Sequence, residues 1–253
     1  MAGDLVKVER HQNYATFTLN RPEKRNALSE ALLADFDQAV AAIEGEKEIR
    51  AVIVRGAGAS FCAGIDLAEA ERLEGGQRLE RLFKRLENMP VPTIAAVQGA
   101  ALAGGCELAL HCDIRIAAED ARIGMTVARV GLLAPYDFVR KLIEIIGSAN
   151  TALILYTAEP VDAQRALRYG LVHEVAPNAK LDEAAVKLAQ TIAGNAPLAL
   201  RTMKLSIRRA MASANDAWHE DLLEQHRMVR HSNDAKEGIR AFLEKRKPNW
   251  RAE

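Results

Sequence analysis

The sequence carries no excess charge of either sign: its 253 residues hold 34 Lys and Arg against 34 Asp and Glu. That balance excludes the broad electrostatic footprint needed for nucleic acid or an anionic membrane surface, although a local basic cluster can still hold a phosphorylated small molecule. Cysteine is scarce. Cys62, Cys106 and Cys112 form an odd set without zinc-ligand spacing, which speaks for free thiols in a reducing compartment and against a disulfide framework. Cys106, His111 and Cys112 are too irregularly spaced to argue for a metal, so none is expected. The opening residues MAGDLVKVER contain no apolar signal core, and a cytoplasmic location is expected. There is no internal repeat or low-complexity tract, and the six histidines are scattered without the partner pattern of a catalytic triad. Gly56-Ala57-Gly58 follows a strand-like run, but the third glycine of a dinucleotide fingerprint would fall on Phe61, so no nicotinamide cofactor is expected.

What is present is a large core, with 49% hydrophobic residues, enough for one domain or one domain plus a helical appendage. The stretch Thr93–Cys112, TIAAVQGAALAGGCELALHC, is the most informative: it is mostly small or apolar and has one formal charge, Glu107. It is long enough to be weighed as a membrane span. Gln98, Glu107 and a break at Gly99 argue instead for buried core. A buried, unpaired carboxylate costs several kcal/mol, so one in such surroundings is expected to be solvated, paired or chemically used.

Strand patterns lie on both sides of Gln12-Asn13 between Leu5 and Leu19, and NRPEKRNALS (20–29) reads as an irregular loop ending in a helix N-cap at Ser29. The helix runs to about Glu44. AVIVR (51–55) suits a buried parallel strand, followed by a turn through Gly64 and a charged amphipathic helix to about Asn88. The pattern repeats with a strand at 93–97, a turn at 99–105, helical residues at 107–110 and a strand at 113–117. Strand, glycine turn and helix in succession argue for α/β architecture built from crossover units. After about Val175 no strand is expected, and helices are expected at 182–193, 197–211, 216–229 and 234–245. The division expected is a core over 1–190 and a C-terminal helical region over 191–253, whose apolar stripes could cover a neighbouring subunit.

A glycine turn that opens a helix aims unpaired N–H groups at whatever anion sits there. The N–H groups of Ile65 and Gly104 are therefore candidates for two donors converging on one oxygen; close packing of small residues is the competing reading. Glu107 follows Gly104 by three residues and is the candidate acid–base group, its apolar neighbours favouring a raised pKa. Asp66 reads as a first-turn helix residue complementing the helix dipole.

The segments NRPEKRNALS (20–29), SFCAGIDL (60–67), AVQGAALAGGCELALHCDIRIAAEDARIGM (96–125), AQRALRYGLVHEV (163–175) and AFLEKRKPNW (241–250) resemble, in order, the motifs of the crotonase family, the enoyl-CoA hydratases and isomerases. The resemblance implies a spiral of stacked ββα turns with a C-terminal helical trimerisation region, assembled as a homotrimer or a homohexamer built as a dimer of trimers. It implies a coenzyme A thioester as substrate and no separate cofactor. The thioester carbonyl would sit between Ile65 and Gly104, and the coenzyme A moiety near Lys24, Ala27, Ala63 and Asp66, with Thr126 nearby. Lys245 matches a lysine that reaches the nucleotide of a neighbouring subunit's ligand. Solvated loop charge is the alternative for Lys24 and Lys245. Leu67, Ala70, Leu73 and Leu132 would line an apolar acyl pocket.

The chain departs from the family pattern at one decisive place. Hydratases resembling it carry a second glutamate on the helix after Glu107, where this sequence has Val127. One group delivering hydroxide and another handling the α-proton is the ordinary arrangement for water addition, so its absence opens a decarboxylase alternative in which loss of CO2 generates the enolate. Gly124-Met125-Thr126 and Pro135-Tyr136-Asp137-Phe138 partly resemble methylmalonyl-CoA decarboxylase-like members, which makes Tyr136 and Asp137 further catalytic candidates. A packed aromatic is the competing role for Tyr136. A catalytically weak acyl-CoA-binding member is the remaining alternative.

Overall fold

The computed structural model describes residues 5–69, 77–211, 227 and 231–249. Two compact units emerge, one from residues 1–123 and 161–211, the other from 124–160 and 212–253. These units meet along the chain at 123/124, 160/161 and 211/212.

The first unit is organised by a six-stranded sheet. Its strands are β1 (Val6–Arg10), β2 (Tyr14–Leu19), β3 (Ala51–Gly56), β4 (Thr93–Val97), β6 (Ile114–Ala118) and β9 (Glu174–Ala176), adjacent in that order. β1 and β2 pair antiparallel, as a short reversal at Gln12-Asn13 allows, and every later pairing is parallel. A smaller sheet holds β5 (Ala100–Leu102), β7 (Arg122–Gly124) and β8 (Val161–Asp162). The expected turn at 99–105 therefore contains a short strand, which small residues flanked by glycine do not announce.

Parallel strands need both faces covered, and their sequences show it. Ala51, Ile53, Ile94, Ala96, Ile116 and Ala118 alternate onto one face and pack on Leu181, Ala185 and Ala189 of α6 (Leu181–Ala193). The spacing of four along α6 sets those three residues in one row. On the other face Phe17 meets Phe36 of α1 (Glu30–Glu44) edge to face, 5.9 Å between ring centres. The Ser29 hydroxyl accepts a hydrogen bond from the Leu32 N–H at 3.2 Å and starts α1 as expected of an N-cap. α2 (Gln77–Glu87), α3 (Gly104–Leu110), α5 (Ala163–Tyr169) and α7 (Pro197–Met211) complete this unit.

α7 is held through Lys204, which is buried and donates to the Val91 carbonyl (2.9 Å) and the Asp113 carboxylate (2.7 Å). Asp113 in turn accepts from the Thr93 N–H and hydroxyl. The second unit contains a short helical turn at Val127–Val130, α4 (Tyr136–Thr157) and α8 (Asn233–Leu243), which packs on that turn. α4 is interrupted at Gly147, which has φ +75° and ψ 163°. The helix expected at 216–229 lies outside the described residues, apart from an isolated helical position at 227. Among the described residues no helix is long and apolar enough to cross a membrane.

Candidate active site

Two backbone bridges draw the separate turns together. Cys62 pairs with Ala101, through Cys62 N–H to the Ala100 carbonyl and Leu102 N–H to the Cys62 carbonyl, both at 3.0 Å. Ile65 pairs with Leu28, whose N–H donates to the Gly64 carbonyl at 2.7 Å and whose carbonyl accepts from the Asp66 N–H at 2.9 Å. Gly64, at φ +97°, occupies the space between: a Cβ there would lie 2.8 Å from the Leu102 carbonyl oxygen and 3.0 Å from Ala103 Cβ. At Gly105 a Cβ would sit 2.1 Å from the Cys62 carbonyl oxygen, so only glycine permits this approach.

The orientation of the two candidate donors follows from peptide planarity, because the C=O and N–H of a trans peptide point in opposite directions. The Gly64 carbonyl is committed to Leu28, so the Ile65 N–H on the same peptide faces away from Leu28. The Ala103 carbonyl is committed to the Glu107 N–H at 3.0 Å, so the Gly104 N–H points out of the start of α3. As the first residue of α3, Gly104 has no partner within its helix. Ala103 makes this possible at φ +49° and ψ −119°, a conformation costly for a residue with a Cβ, on the order of 1–3 kcal/mol. A strained non-glycine residue at the junction of two turns is the kind of outlier that tertiary structure must hold in place.

Glu107 is half-buried in the first turn of α3, where the helix dipole favours its charge. Beneath it His111 is only 7% exposed, its ring stacked on Phe83 with 5.2 Å between ring centres. Its Nδ1 lies 2.9 Å from the Glu107 carbonyl oxygen, and its Nε2 lies 3.9 Å from the Glu87 carboxylate.

The loop before α1 contacts the same turn. A short helical turn at Pro22–Lys24 is followed by Arg25 and Asn26 at φ +50° and +55°. Asn26 is fully buried; its amide donates to the carbonyls of Ala57 (2.9 Å) and Ser60 (2.8 Å), while its Oδ1 accepts from the Arg21 N–H (2.9 Å). The Ala63 N–H donates to the Arg25 carbonyl. Lys24 is exposed, and Ala27 and Ala63 are half-buried.

Asp66 corrects the expectation from sequence. Among the described residues it stands before a turn at 67–69 and not in a helix; Asp66 accepts from the Ala68 N–H at 3.2 Å, and its other oxygen pairs with Arg21 at 2.8 Å. The Ile65 N–H is therefore presented by an extended bridge and not by a helix end. Its orientation comes from Leu28.

The first unit holds Ile65, Gly104, Glu107, Ala27, Ala63 and Asp66, with Lys24 in the same loop as Ala27. Thr126, Tyr136, Asp137 and Lys245 belong to the second unit. Tyr136 and Asp137, both half-buried, form the first turn of α4, and Lys245 is exposed at φ +55° after α8. Of the residues proposed to line an acyl pocket, Ala70 and Leu73 lie outside the described residues. Burial pushes the Cys62 and Cys112 thiols up to about 12, making them poor nucleophiles.

Sequence reasoning missed Arg21, Asn26 and Ala103. An asparagine in a loop before a helix signals tolerance of positive φ, which could have singled out Asn26. Nothing local marks Arg21 as the partner of a residue 45 positions away, or Ala103 as strained.

The sequence profile described as enoyl-CoA hydratase/isomerase matches residues 9–253, and the chain belongs to that family of enzymes. It is 36% identical over 249 residues to the short-chain-enoyl-CoA hydratase of Clostridium acetobutylicum, covering 96% of this chain and 95% of that one. Among solved structures it is similar to a methylmalonyl CoA decarboxylase, with a TM-score of 0.92, 30% identity and all of both chains covered. It is similar also to the carnitinyl-CoA hydratase of Mycobacterium avium, with a TM-score of 0.84, 35% identity and 99% of each chain covered.

Proposed function

We propose that the Ile65 and Gly104 N–H groups receive the thioester oxygen of an acyl-CoA as it becomes an enolate, and that Glu107 carries the proton. The observation behind this reading is that both donors sit on peptides whose carbonyls are bonded in the opposite direction, Gly64 to Leu28 and Ala103 to Glu107. Such donors need little reorganisation as charge develops, and loss of one costs on the order of 3 kcal/mol in barrier.

For a 2-enoyl-CoA, the Glu107 carboxylate takes a proton from water as the oxygen adds to C3. The C2–C3 π pair moves into the thioester, the oxyanion is held by the two N–H groups, and the same carboxyl returns its proton to C2. With Val127 in place of a second glutamate, one group serves both proton steps. Lys24, Ala27, Ala63, Asp66 and Thr126 are proposed to lie along the coenzyme A moiety. Lys245 is proposed to reach a neighbouring subunit's ligand in a homotrimer or a dimer of trimers, located in the cytoplasm. The exposed apolar residues Leu198, Met203 and Ile207 of α7 support such an assembly.

A second reading, decarboxylation of a malonyl-type CoA, is favoured by the higher TM-score of the methylmalonyl CoA decarboxylase structure and by Val127. Here the bond to the carboxylate breaks, its electron pair forms the enolate held by the same donors, and CO2 leaves; Tyr136 or Asp137 would orient the departing group.

The deciding experiment follows the conjugated-thioester absorbance of crotonyl-CoA and CO2 release from methylmalonyl-CoA, each with wild-type protein and Glu107→Gln. Glu107-dependent loss of absorbance supports hydration, and CO2 release without it supports decarboxylation. Binding with neither reaction would identify a catalytically weak acyl-CoA-binding member.

A further inference from the structure

Arg21 and Asp66 form an ion pair at 2.8 Å with only 16% and 15% of their side chains exposed. Burying two charges costs about as much as their attraction returns, so such a pair is weak grounds for stability and better grounds for geometry. Its surroundings show which geometry. Arg21 Nη1 donates to the Asp66 carboxylate and also to the Ala27 carbonyl at 3.3 Å. The Asp66 N–H donates to the Leu28 carbonyl, and the Leu28 N–H donates to the carbonyl of the Gly64–Ile65 peptide. Side chain, turn and loop therefore close a ring of interactions that passes through the peptide bearing the Ile65 N–H. Arg21 is itself fixed, because its N–H donates to buried Asn26. The far end of the turn is tied down by Glu69, which accepts from the Glu30 N–H at 3.0 Å.

We infer that Arg21 and Asp66 are positioning residues that aim the Ile65 N–H at the substrate oxygen. The inference rests on the proposed role of that N–H as an oxyanion donor. With the pair intact, the Gly64–Ile65 peptide is clamped between Leu28 on one side and the Leu102–Ala103 backbone on the other. Without it, the peptide can rock about the Leu28 bond. A donor displaced by about 1 Å costs up to roughly 100-fold in turnover, while binding through the rest of a large ligand is retained.

The readout that separates positioning from structural support is the polarisation of a bound thioester. Cinnamoyl-CoA, whose long-wavelength absorption moves to the red when its carbonyl oxygen accepts strong hydrogen bonds, is titrated into wild-type protein, Asp66→Asn, Arg21→Met and Arg21→Lys. Near-ultraviolet circular dichroism checks the fold of each. The expected result is a red shift in wild type, loss of more than half of it in Asp66→Asn and Arg21→Met, little change in Kd for Arg21→Met, and partial return in Arg21→Lys. Arg21→Lys keeps the charge and carries the test if Asp66→Asn does not fold, its red shift then being expected below wild type. Folded variants that keep the full red shift would overturn the inference while leaving the oxyanion reading intact. A wild-type protein that binds cinnamoyl-CoA without a red shift would overturn that reading and the inference with it. Failure of wild type to bind at all would overturn the acyl-CoA reading itself.

Discussion

Gly64→Ala is the sharpest perturbation of the proposed site, and Gly147→Ala is its control. Both glycines have left-handed φ, +97° and +75°, so both substitutions bring backbone strain on the order of 1–3 kcal/mol. They differ in what a methyl group meets. At Gly147 nothing lies within 4 Å. At Gly64 the methyl would sit 2.8 Å from the Leu102 oxygen, 3.0 Å from Ala103 Cβ and 3.3 Å from the Gly104 nitrogen. Two of these atoms are backbone and the third is a Cβ, so none can rotate aside. Ordinary contact begins near 3.4 Å, so the two turns must part by about 0.6 Å. Overpacking of this kind adds about 1–3 kcal/mol. Gly64→Ala should therefore cost roughly 2–5 kcal/mol in stability, and Gly147→Ala about 1–2 kcal/mol after the gain from a stiffer unfolded chain. Because the atoms pushed apart include Ala103 and Gly104, kcat should fall by about 100-fold or more in Gly64→Ala and stay near wild type in Gly147→Ala. Chemical denaturation gives the stabilities, and turnover of crotonyl-CoA or methylmalonyl-CoA, whichever reacts, gives the rates. A folded Gly64→Ala protein with wild-type kcat would refute the reasoning that this contact aligns the two donors.

Lys204→Met should destabilise by about 1–3 kcal/mol in urea, because the Val91 carbonyl loses its donor while Asp113, partly solvated, keeps its bonds from Thr93. His173 has a lowered pKa, first from burial and then from the charge of Arg115, and its Nδ1 accepts from the Arg115 N–H. The unfolded chain therefore binds a proton that the folded chain refuses. Stability should drop as pH falls below about 6.5 toward the lowered value, and His173→Asn, which keeps an acceptor, should flatten that drop in urea midpoints measured across the range. The three cysteines are buried, so a chromogenic disulfide reagent should react with them only in denaturant; rapid reaction of Cys62 or Cys112 in the native protein would contradict their raised pKa.

The backbone outline was legible because its signals are local. AVIVR and TIAAV are short apolar runs that became β3 and β4, Ser29 caps α1, and the expected helices at 182–193, 197–211 and 234–245 match α6, α7 and α8 within two residues. Periodicity and capping depend on neighbours within about a turn of chain, so one sequence carries them. The strand β5 was not legible, because Ala100-Ala101-Leu102 is short, lacks β-branched residues and is paired only by Cys62 and the strands around it. Asp66 was misread for the same reason: as a residue after a glycine turn it looks like a helix start, and only its partner Arg21 makes it a clamp.

The division is clearest at the two donors. The sequence by itself determined that small residues at 62–65 and 103–105 could expose N–H groups, that Glu107 would follow one of them, and that Val127 replaces a second carboxylate. Only the tertiary structure decided where those N–H groups point. Their direction is the reverse of the Gly64 and Ala103 carbonyls, and those carbonyls are oriented by bonds to Leu28, far away in the chain, and to Glu107, through a strained Ala103. Distant backbone partners and tolerated strain leave no mark on residue spacing, because they are properties of the assembled packing.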